Sequence, residues 1–356
     1  MAIPAAIFIQ RRSFKAGVVV GLSLYALGAL LFIPCKTFAA FYPFLLAYFI
    51  LTCGLSFLET SCNTYVYCMG SEATGIQRLN AAQAFNPLGC LAGMYLAMSV
   101  SSHMSPLDSV ARSQLPLAQF NMIKANDLNV LIQPYIFISA MVIIMLVTII
   151  LTKMRTSVDE KAEGESKNIQ TAIKELWNLK NYREGVMAEF FYVGGQVCCW
   201  TFIIQYGIRI FLTKGMTEQA AEVAAQKYNI IAMVLFAVFR FVCTWLMNYF
   251  PATRILSVMG ILAFVATLGG ILFTDMNGLY CLMMVSGCMS LMFPTIYGIS
   301  LRGVGDNVKY AGAGLIMAIL GGSLFPPVQA IIIQSHWSLF GLPSTNVSFF
   351  IPLVCF

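Results

Sequence analysis

Long apolar runs alternate with short polar segments along nearly the whole chain. Most runs approach the roughly 20 residues that an α-helix needs to cross a bilayer, and a helix satisfies its own backbone hydrogen bonds in lipid. The pattern therefore predicts a bundle of transmembrane helices. We expect a partial span at about 1–9, full spans near 17–33, 43–67, 79–101, 130–151, 184–212, 222–247, 255–273, 277–300 and 310–334, and an unfinished span from about 347.

The composition agrees with this all-α, polytopic membrane class. Hydrophobic residues make up 59% of the 356 positions and charged residues only 10%, whereas soluble domains carry about 25% charged residues. The eleven cysteines are scattered through apolar segments without a CxxC pair, which favours packing over metal or haem ligation. We therefore expect no metal site and no cofactor. The sequence also lacks a Walker loop and a catalytic triad, so neither ATP-driven transport nor an enzyme is indicated.

Basic residues predict the orientation of the spans. Arg11, Arg12 and Lys15 share one short loop, and the long polar segment 152–183 holds seven further Lys and Arg residues. By the positive-inside rule these segments are cytoplasmic. The net charge of +6 then follows from topology, and no nucleic-acid partner is expected. The end of the long segment, residues 169–179, has the apolar spacing of an amphipathic helix at the membrane interface.

The chain also repeats itself at an offset of about 235–240 residues. IFIQRRSFKAGVVVG (7–21) is echoed by LMNYFPATRILSVMG (246–260), and LSFLETSCNTYVYCMG (55–70) by MSLMFPTIYGISLRGVG (289–305). Parallel repeats joined by a cytoplasmic linker are typical of transporters that bind substrate between two halves. The predicted organisation is an N-terminal half at 1–151, a linker at 152–183 and a C-terminal half at 184–356.

Several motifs resemble one branch of a known transporter family. They are GLSLYALGALLF (21–32), FLETSCNTYVYCMG (57–70), QRLNAAQAFNPLG (77–89), FFYVGGQVCCWTFIIQYGIRIF (190–211) and MFPTIYGISLRGVGDNVKYAGAGLIM (292–317). Over nearly the whole chain they resemble the fucose–proton symporters of the major facilitator superfamily. The resemblance implies two pseudo-symmetric six-helix halves, of which about 10–11 spans are present. It also implies a chain that starts inside the second helix and stops inside the twelfth, without the acidic residue of helix 1.

Glu59 is the one formally charged residue in the apolar stretch 42–67. An acidic side chain at the centre of a spanning helix costs about 2.5–3.5 kcal/mol on insertion scales, so such residues usually have a function. Asn63 lies four residues further on and shares the same helix face. We predict that Glu59 carries the coupled proton and that Asn63 contacts the substrate. The alternative is a structural ion pair between Glu59 and Arg240.

Amide side chains mark the following span. Asn80, Gln83 and Asn86 follow at three-residue steps, and amides both donate to and accept from sugar hydroxyls. We predict substrate contacts for Gln83 and Asn86 and a structural role for Asn80. The alternative for all three is hydrogen bonding between helices, which is common in membrane bundles.

An aromatic and polar stripe marks the first helix of the second half. Tyr192, Gln196 and Trp200 follow at four-residue steps, and Phe293 and Tyr297 form a similar pair in the helix that echoes the Glu59 helix. Aromatic rings can stack on a pyranose, so Gln196, Trp200 and, through the resemblance, Phe293 are predicted substrate contacts. Ordinary packing is the alternative explanation.

Three further expectations concern polar residues. The resemblance places Arg11, Arg12 and Lys15 in a loop that gates the cytoplasmic side, although simple membrane anchoring explains them equally well. Glu189, near the inner end of its helix, is expected to be solvated. Asn346-Val-Ser is a glycosylation sequon by pattern only.

The function implied is proton-coupled symport of L-fucose or a related sugar by a monomer in the cytoplasmic (inner) membrane. Its expected partners are the sugar, protons and lipid. Three alternatives stay open: a glucose/galactose-type symporter, a sugar sensor that binds without net flux, and a truncated, non-transporting fragment.

Overall fold

The computed structural model describes residues 1–38, 40–105, 112, 114–154, 169–335, 338 and 341–356. The predicted linker 152–183 lies partly outside the described residues, at 155–168. Two 3₁₀ turns, Glu72–Thr74 and Gly305–Asn307, accompany the α-helices. The helices are α1 (Ala2–Arg11), α2 (Phe14–Phe38), α3 (Phe41–Cys68), α4 (Gly75–Gln83), α5 (Asn86–His103), α6 (Leu117–Leu151), α7 (Ile169–Asn178), α8 (Lys180–Thr213), α9 (Glu218–Leu246), α10 (Ala252–Leu272), α11 (Met276–Met289), α12 (Met292–Ser300), α13 (Val308–Ala318), α14 (Gly321–Gln334), α15 (Ser344–Val347) and α16 (Phe350–Cys355).

Eight helical stretches within the described residues are long and apolar enough to cross a membrane. Six of them are the single helices α2, α3, α6, α8, α9 and α10, and two are the stretches Met276–Ser300 and Gly305–Gln334. Many large apolar side chains on these helices are exposed, as expected where lipid takes the place of a protein core. The predicted all-α, polytopic membrane class is confirmed.

Three predicted spans are interrupted. The span expected near 79–101 ends as α4 at Gln83 and resumes as α5 at Asn86, the span expected at 277–300 breaks between α11 and α12, and the span expected at 310–334 breaks between α13 and α14. The first two breaks lie just before a proline, Pro87 or Pro294. Proline has no N–H to donate to the carbonyl four residues earlier, and its ring crowds that carbonyl. The proline thus accounts for the interruption at these two places.

The chain divides into two compact units. The first comprises Met1–Tyr65 and Ala92–Glu163. In this unit α2 and α3 approach closely because glycines face the neighbouring backbone: a Cβ atom at Gly28 would overlap the backbone of Leu51. Small residues at such contacts are typical of membrane helices. One turn further along α2, Phe32 stacks on Tyr135 of α6 with ring centroids 3.8 Å apart.

The second unit comprises Val66–Leu91 and Gly164–Phe356 and is organised around α8. Helices α9, α11, α12, α13, α14 and α16 pack against α8, and its buried side chains contribute to one large apolar cluster with those of α9 and α11. The predicted amphipathic helix is present as α7, with Ala172 and Leu176 buried and Ile173 and Trp177 exposed. Glycines of α8 allow several of these helices to approach it: Gly185 meets Ser300 of α12, Gly194 meets Phe325 of α14 and Gly207 meets Ala225 of α9.

Candidate functional site

Glu59 and Asn63 form a hydrogen-bonded pair on α3. Asn63 Nδ2 donates to Glu59 Oε2 at 2.7 Å, as the four-residue spacing predicts. The hydroxyls of the intervening and following residues, Ser61 and Thr64, donate instead to carbonyls of their own helix one turn earlier. Asn63 is buried, with 6% of its surface exposed, and Glu59 is partly exposed. The pair is therefore a polar site in an otherwise apolar helix.

The basic residues at the start of α2 divide into two kinds. Arg11 and Arg12 are exposed. Lys15 Nζ donates to the carbonyl oxygens of Ile150 and Thr152, at 2.9 and 2.8 Å. Carbonyls at a helix C-terminus lack partners within the helix and attract cations. Lys15 thus holds the end of α6, while the gating role of the three residues stays a prediction.

Gln83 and Asn86 flank the break between α4 and α5. Asn86 is exposed, and its Oδ1 accepts from Cys90 Sγ at 3.4 Å. The missing N–H of Pro87 leaves the Gln83 carbonyl without its usual helical donor. Arg240 Nη1 of α9 approaches that carbonyl at 3.5 Å. The break therefore exposes one amide side chain and offers a backbone acceptor to a buried cation.

Asn80 behaves as the sequence predicted for a structural residue. It is fully buried, and its Nδ2 donates to the carbonyl of Ile76 and to Thr295 Oγ1, at 3.0 and 3.1 Å. The second bond joins α4 to α12. Asn80 thus joins these two helices through its Nδ2.

The aromatic stripe of α8 is partly packed and partly open. Tyr192 is buried and donates its hydroxyl to the Met289 carbonyl at 2.8 Å. Gln196 is 9% exposed, and Trp200 is partly exposed. Trp200 meets Phe236 edge to face, with ring centroids 5.0 Å apart. Its Nε1 is buried and has no hydrogen-bond partner within the described residues, so Trp200 holds an unpaired indole donor one helical turn from Gln196.

Phe293 of α12 borders the same apolar cluster as Trp200. Its ring stacks on Tyr297, with ring centroids 6.1 Å apart. Arg240 contacts both the Gln83 carbonyl and the ring of Phe236, a member of that cluster, with the guanidinium 5.1 Å from the ring centre.

Arg240 is the residue whose place the sequence did not reveal. A single cation in the run VLFAVFRFVCTW signals a buried charge, and sequence reasoning considered it as a partner for Glu59. In the structure it is 3% exposed and contacts the Gln83 carbonyl and the Phe236 ring. Its neighbours come from the break in the chain before Pro87.

The expectation that Glu189 is solvated is wrong. Its side chain is fully buried, with 0% exposed. Helix α8 begins at Lys180, so Glu189 lies in the third turn of the helix and not at its end. Gly185, one turn earlier, allows Ser300 to pack against the helix. The solvated acid of this helix is Glu184, whose side chain is 61% exposed.

Comparison with known proteins identifies the family. The sequence profile described as Major Facilitator Superfamily matches residues 1–326. The chain belongs to the major facilitator superfamily. Facilitators are membrane transporters and not enzymes, and this facilitator is a multi-pass protein of the cytoplasmic membrane.

Particular relatives place the facilitator in one branch. The chain is 44% identical to the L-fucose-proton symporter of Haemophilus influenzae over 100% of its own length and 82% of the relative's. It is 25% identical to the glucose/galactose transporter of Brucella abortus over 100% and 79% of the two lengths. A crystal structure of an Asn-to-Ala variant of the Escherichia coli fucose:proton symporter matches with a TM-score of 0.87 and 30% identity, covering 99% of this chain and 84% of that one. The resemblance to the fucose–proton symporter branch is confirmed.

Proposed function

We propose that this facilitator imports L-fucose or a closely related sugar together with protons. The single observation that carries the proposal is the Glu59–Asn63 hydrogen bond of 2.7 Å within an apolar spanning helix. The identity of 44% with a curated L-fucose-proton symporter, against 25% with a glucose/galactose transporter, supports the choice of sugar. In this proposal the halves at 1–151 and 184–356, joined by the linker 152–183, move as a monomer around the substrate.

The pair on α3 explains how proton and sugar could be coupled. An ionised Glu59 accepts the N–H of Asn63, whereas a protonated Glu59 also has an O–H to donate. Protonation of Glu59 removes a charge from α3. Without that charge, α3 needs less free energy to change between the states that open to the two sides of the membrane. A sugar hydroxyl that competes for Asn63 changes the hydrogen bonding of Glu59. Sugar binding and proton binding thereby act on the same carboxyl group.

The remaining contacts supply the chemistry of a pyranose site. Side-chain amides at Gln83, Asn86 and Gln196 can donate to and accept from hydroxyl groups. The rings of Trp200 and Phe293 offer apolar faces for the C–H side of the sugar, and the free Nε1 of Trp200 can donate to one sugar oxygen. Small-molecule sites usually combine such aromatic walls with a few polar groups.

The test is uptake of radiolabelled L-fucose into vesicles under an imposed inward proton gradient. We compare the chain, Glu59→Gln and, as a matched control, Glu184→Gln on an exposed position of α8. We expect gradient-driven accumulation in the chain and in Glu184→Gln. Glu59→Gln should lose accumulation but keep exchange of labelled for unlabelled sugar, because the amide retains shape and hydrogen bonding but cannot titrate.

Other outcomes decide between the alternatives. Accumulation by Glu59→Gln would refute the coupling role. Stronger competition by D-galactose or D-glucose than by L-fucose would indicate a hexose symporter. Sugar binding without exchange would indicate a sensor or a non-transporting form.

A further inference from the structure

A buried carboxyl group lies in the second unit, on α8. Glu189 is fully buried, and neither of its carboxyl oxygens has a hydrogen-bond partner in the described part of the chain. The close approach of Ser300 to Gly185 seals the helix face one turn before it. Removing an ionised carboxylate from water without a replacement partner is very costly, so such a group takes up a proton instead. In this conformation Glu189 therefore carries its proton.

A buried cation, Arg240, has a neighbour in common with Glu189, namely Tyr192 of α8. Arg240 is 3% exposed, its Nε has no partner within the described residues, and its Nη1 reaches the Gln83 carbonyl at 3.5 Å. This distance is long for a hydrogen bond between N–H and O. Glu189 and Arg240 both lie within electrostatic range of Tyr192, whose own hydroxyl donates to Met289. A neutral acid and a weakly satisfied cation thus both lie within electrostatic range of one residue of α8.

We propose that Glu189 is a second proton-binding residue of the transport cycle, and that Arg240 is the positioning residue that stabilises its ionised form. The inference rests on the proposed proton-coupled transport. When water reaches Glu189, its proton leaves to that water and the carboxylate offsets the charge of Arg240. When the helix face closes again, the proton returns. Ionisation takes the local charge of the two side chains from that of Arg240 alone to zero, and the attraction of Arg240 offsets part of the free-energy cost of the charged carboxylate.

The surroundings of Glu189 contain few groups that could replace Arg240 in this role. Helix α14 carries no titratable residue between Gly321 and Gln334. Within the described residues, the titratable side chains on α8 near Glu189 and on the other elements packed against α8 are Tyr182, Arg183, Glu184, Tyr192, Cys198, Cys199, Lys174, Glu175, Glu218, Glu222, Lys227, Tyr228, Arg240, Cys243, Tyr280, Cys281, Cys288, Tyr297, Lys309, Tyr310 and Cys355. Of the cations in that set, Arg240 is the one that shares the electrostatic surroundings of Tyr192 with Glu189.

The first experiment detects the proton directly and does not require transport. Infrared difference spectra on the purified full chain monitor the carbonyl band of a protonated carboxylic acid at neutral pH. The Glu59→Gln background removes the other membrane carboxyl on α3. We expect a protonated-acid band that is lost when Glu189→Gln is added and retained when Glu184→Gln is added. Absence of the band in the background variant would overturn the proposal.

The second experiment asks whether this proton moves during transport. Proton and sugar fluxes are measured together across a range of external pH. We expect Glu189→Gln to keep sugar uptake while its proton-to-sugar ratio falls by about half and its pH profile becomes shallower, because one of two carboxyls no longer titrates. Arg240→Gln should show the same fall, and the double variant should show no further one. Glu184→Gln should match the parent chain.

The outcomes separate the two levels of inference. Failure of the parent chain to couple sugar to protons would refute the proposed function. Coupling in the parent chain with an unchanged ratio and pH profile in Glu189→Gln would refute the second proton site alone. A misfolded Glu189→Gln variant is recognised by its elution profile. In that case the Arg240→Gln variant decides. If Arg240→Gln keeps both the protonated-acid band and the proton-to-sugar ratio of the parent chain, the proposal is overturned.

Discussion

A buried amide holds the end of helix α10, and removing it should destabilise the second unit. Asn346 is fully buried, and its Nδ2 lies 3.0–3.1 Å from the carbonyl oxygens of Gly270, Ile271 and Phe273. The last carbonyls of a helix have no partner within it. Tyr206 donates its hydroxyl to two of the same carbonyls. The sequon pattern at Asn346 therefore marks a buried helix cap.

The size of the expected destabilisation follows from the number of N–H and O–H groups that each side chain can donate. An amide nitrogen has two N–H groups and makes at most two well-formed bonds at a time, whereas a tyrosine hydroxyl makes one. Hydrogen bonds between membrane helices average about 0.6 kcal/mol and reach about 1.7 kcal/mol. Asn346→Ala should thus cost about 1–3 kcal/mol and Tyr206→Phe roughly half of that. Asn346 Oδ1 has no partner among the described residues. Removing this oxygen in Asn346→Ala breaks no hydrogen bond, so we expect the destabilisation of that variant to lie at the low end of its range.

The sharpest variant is Asn346→Asp. This substitution keeps the size of the side chain but replaces the amide donor with a carboxylate oxygen. The hydrogen bonds to the three carbonyl oxygens are lost, and the carboxylate oxygen also repels those oxygens electrostatically. We expect the order of stability to be parent, Tyr206→Phe, Asn346→Ala and then Asn346→Asp.

The assay is the apparent Tm of the detergent-solubilised protein, read as the fraction that remains monodisperse after heating. In domains of 150–250 residues about 1 kcal/mol corresponds to roughly 2–4 °C, so Asn346→Ala should lower Tm by roughly 2–10 °C. Asn178→Ala, on an exposed position at the end of α7, should leave Tm unchanged. An Asn346→Asp variant as stable as the parent would refute the cap.

Two further predictions concern packing and movement. Gly28→Leu should lower the free energy of unfolding by about 1–3 kcal/mol or prevent folding, because the new side chain would overlap the Leu51 backbone. Gly260→Leu, whose side chain would meet open space, should leave Tm unchanged. Equal Tm values for the two variants would contradict the close packing at Gly28. Gln77 Nε2 donates to Asn248 Oδ1 at 2.7 Å, so a short bifunctional reagent should join cysteines placed at these positions and stop uptake, since facilitators move one repeat against the other. Unchanged uptake in the cross-linked protein, with each single-cysteine variant as control, would show that this contact persists through the cycle.

The local features of the fold were predictable from the sequence. Apolar runs of spanning length predicted most helices, because the hydrophobic requirement of a bilayer is a property of one segment. The Glu59–Asn63 contact was predictable as well, since residues four apart share a helix face whatever surrounds the helix. The interruptions before Pro87 and Pro294 carried a signal in the prolines themselves, but hydropathy averages over them and predicts continuous spans.

What the tertiary structure decided is the environment of each polar side chain. The same chemical signal, an acid near a helix end, describes exposed Glu184 and buried Glu189. Their difference arises from Gly185 and Ser300, which are far apart in the sequence and meet only when α8 and α12 pack. Likewise Lys15 and Arg240 find their acceptors at a distant helix end and a distant helix break. Sequence periodicity determines which residues share a face of one helix; which helix covers that face, and so whether a charge meets water, a carbonyl or nothing, depends on contacts between distant segments.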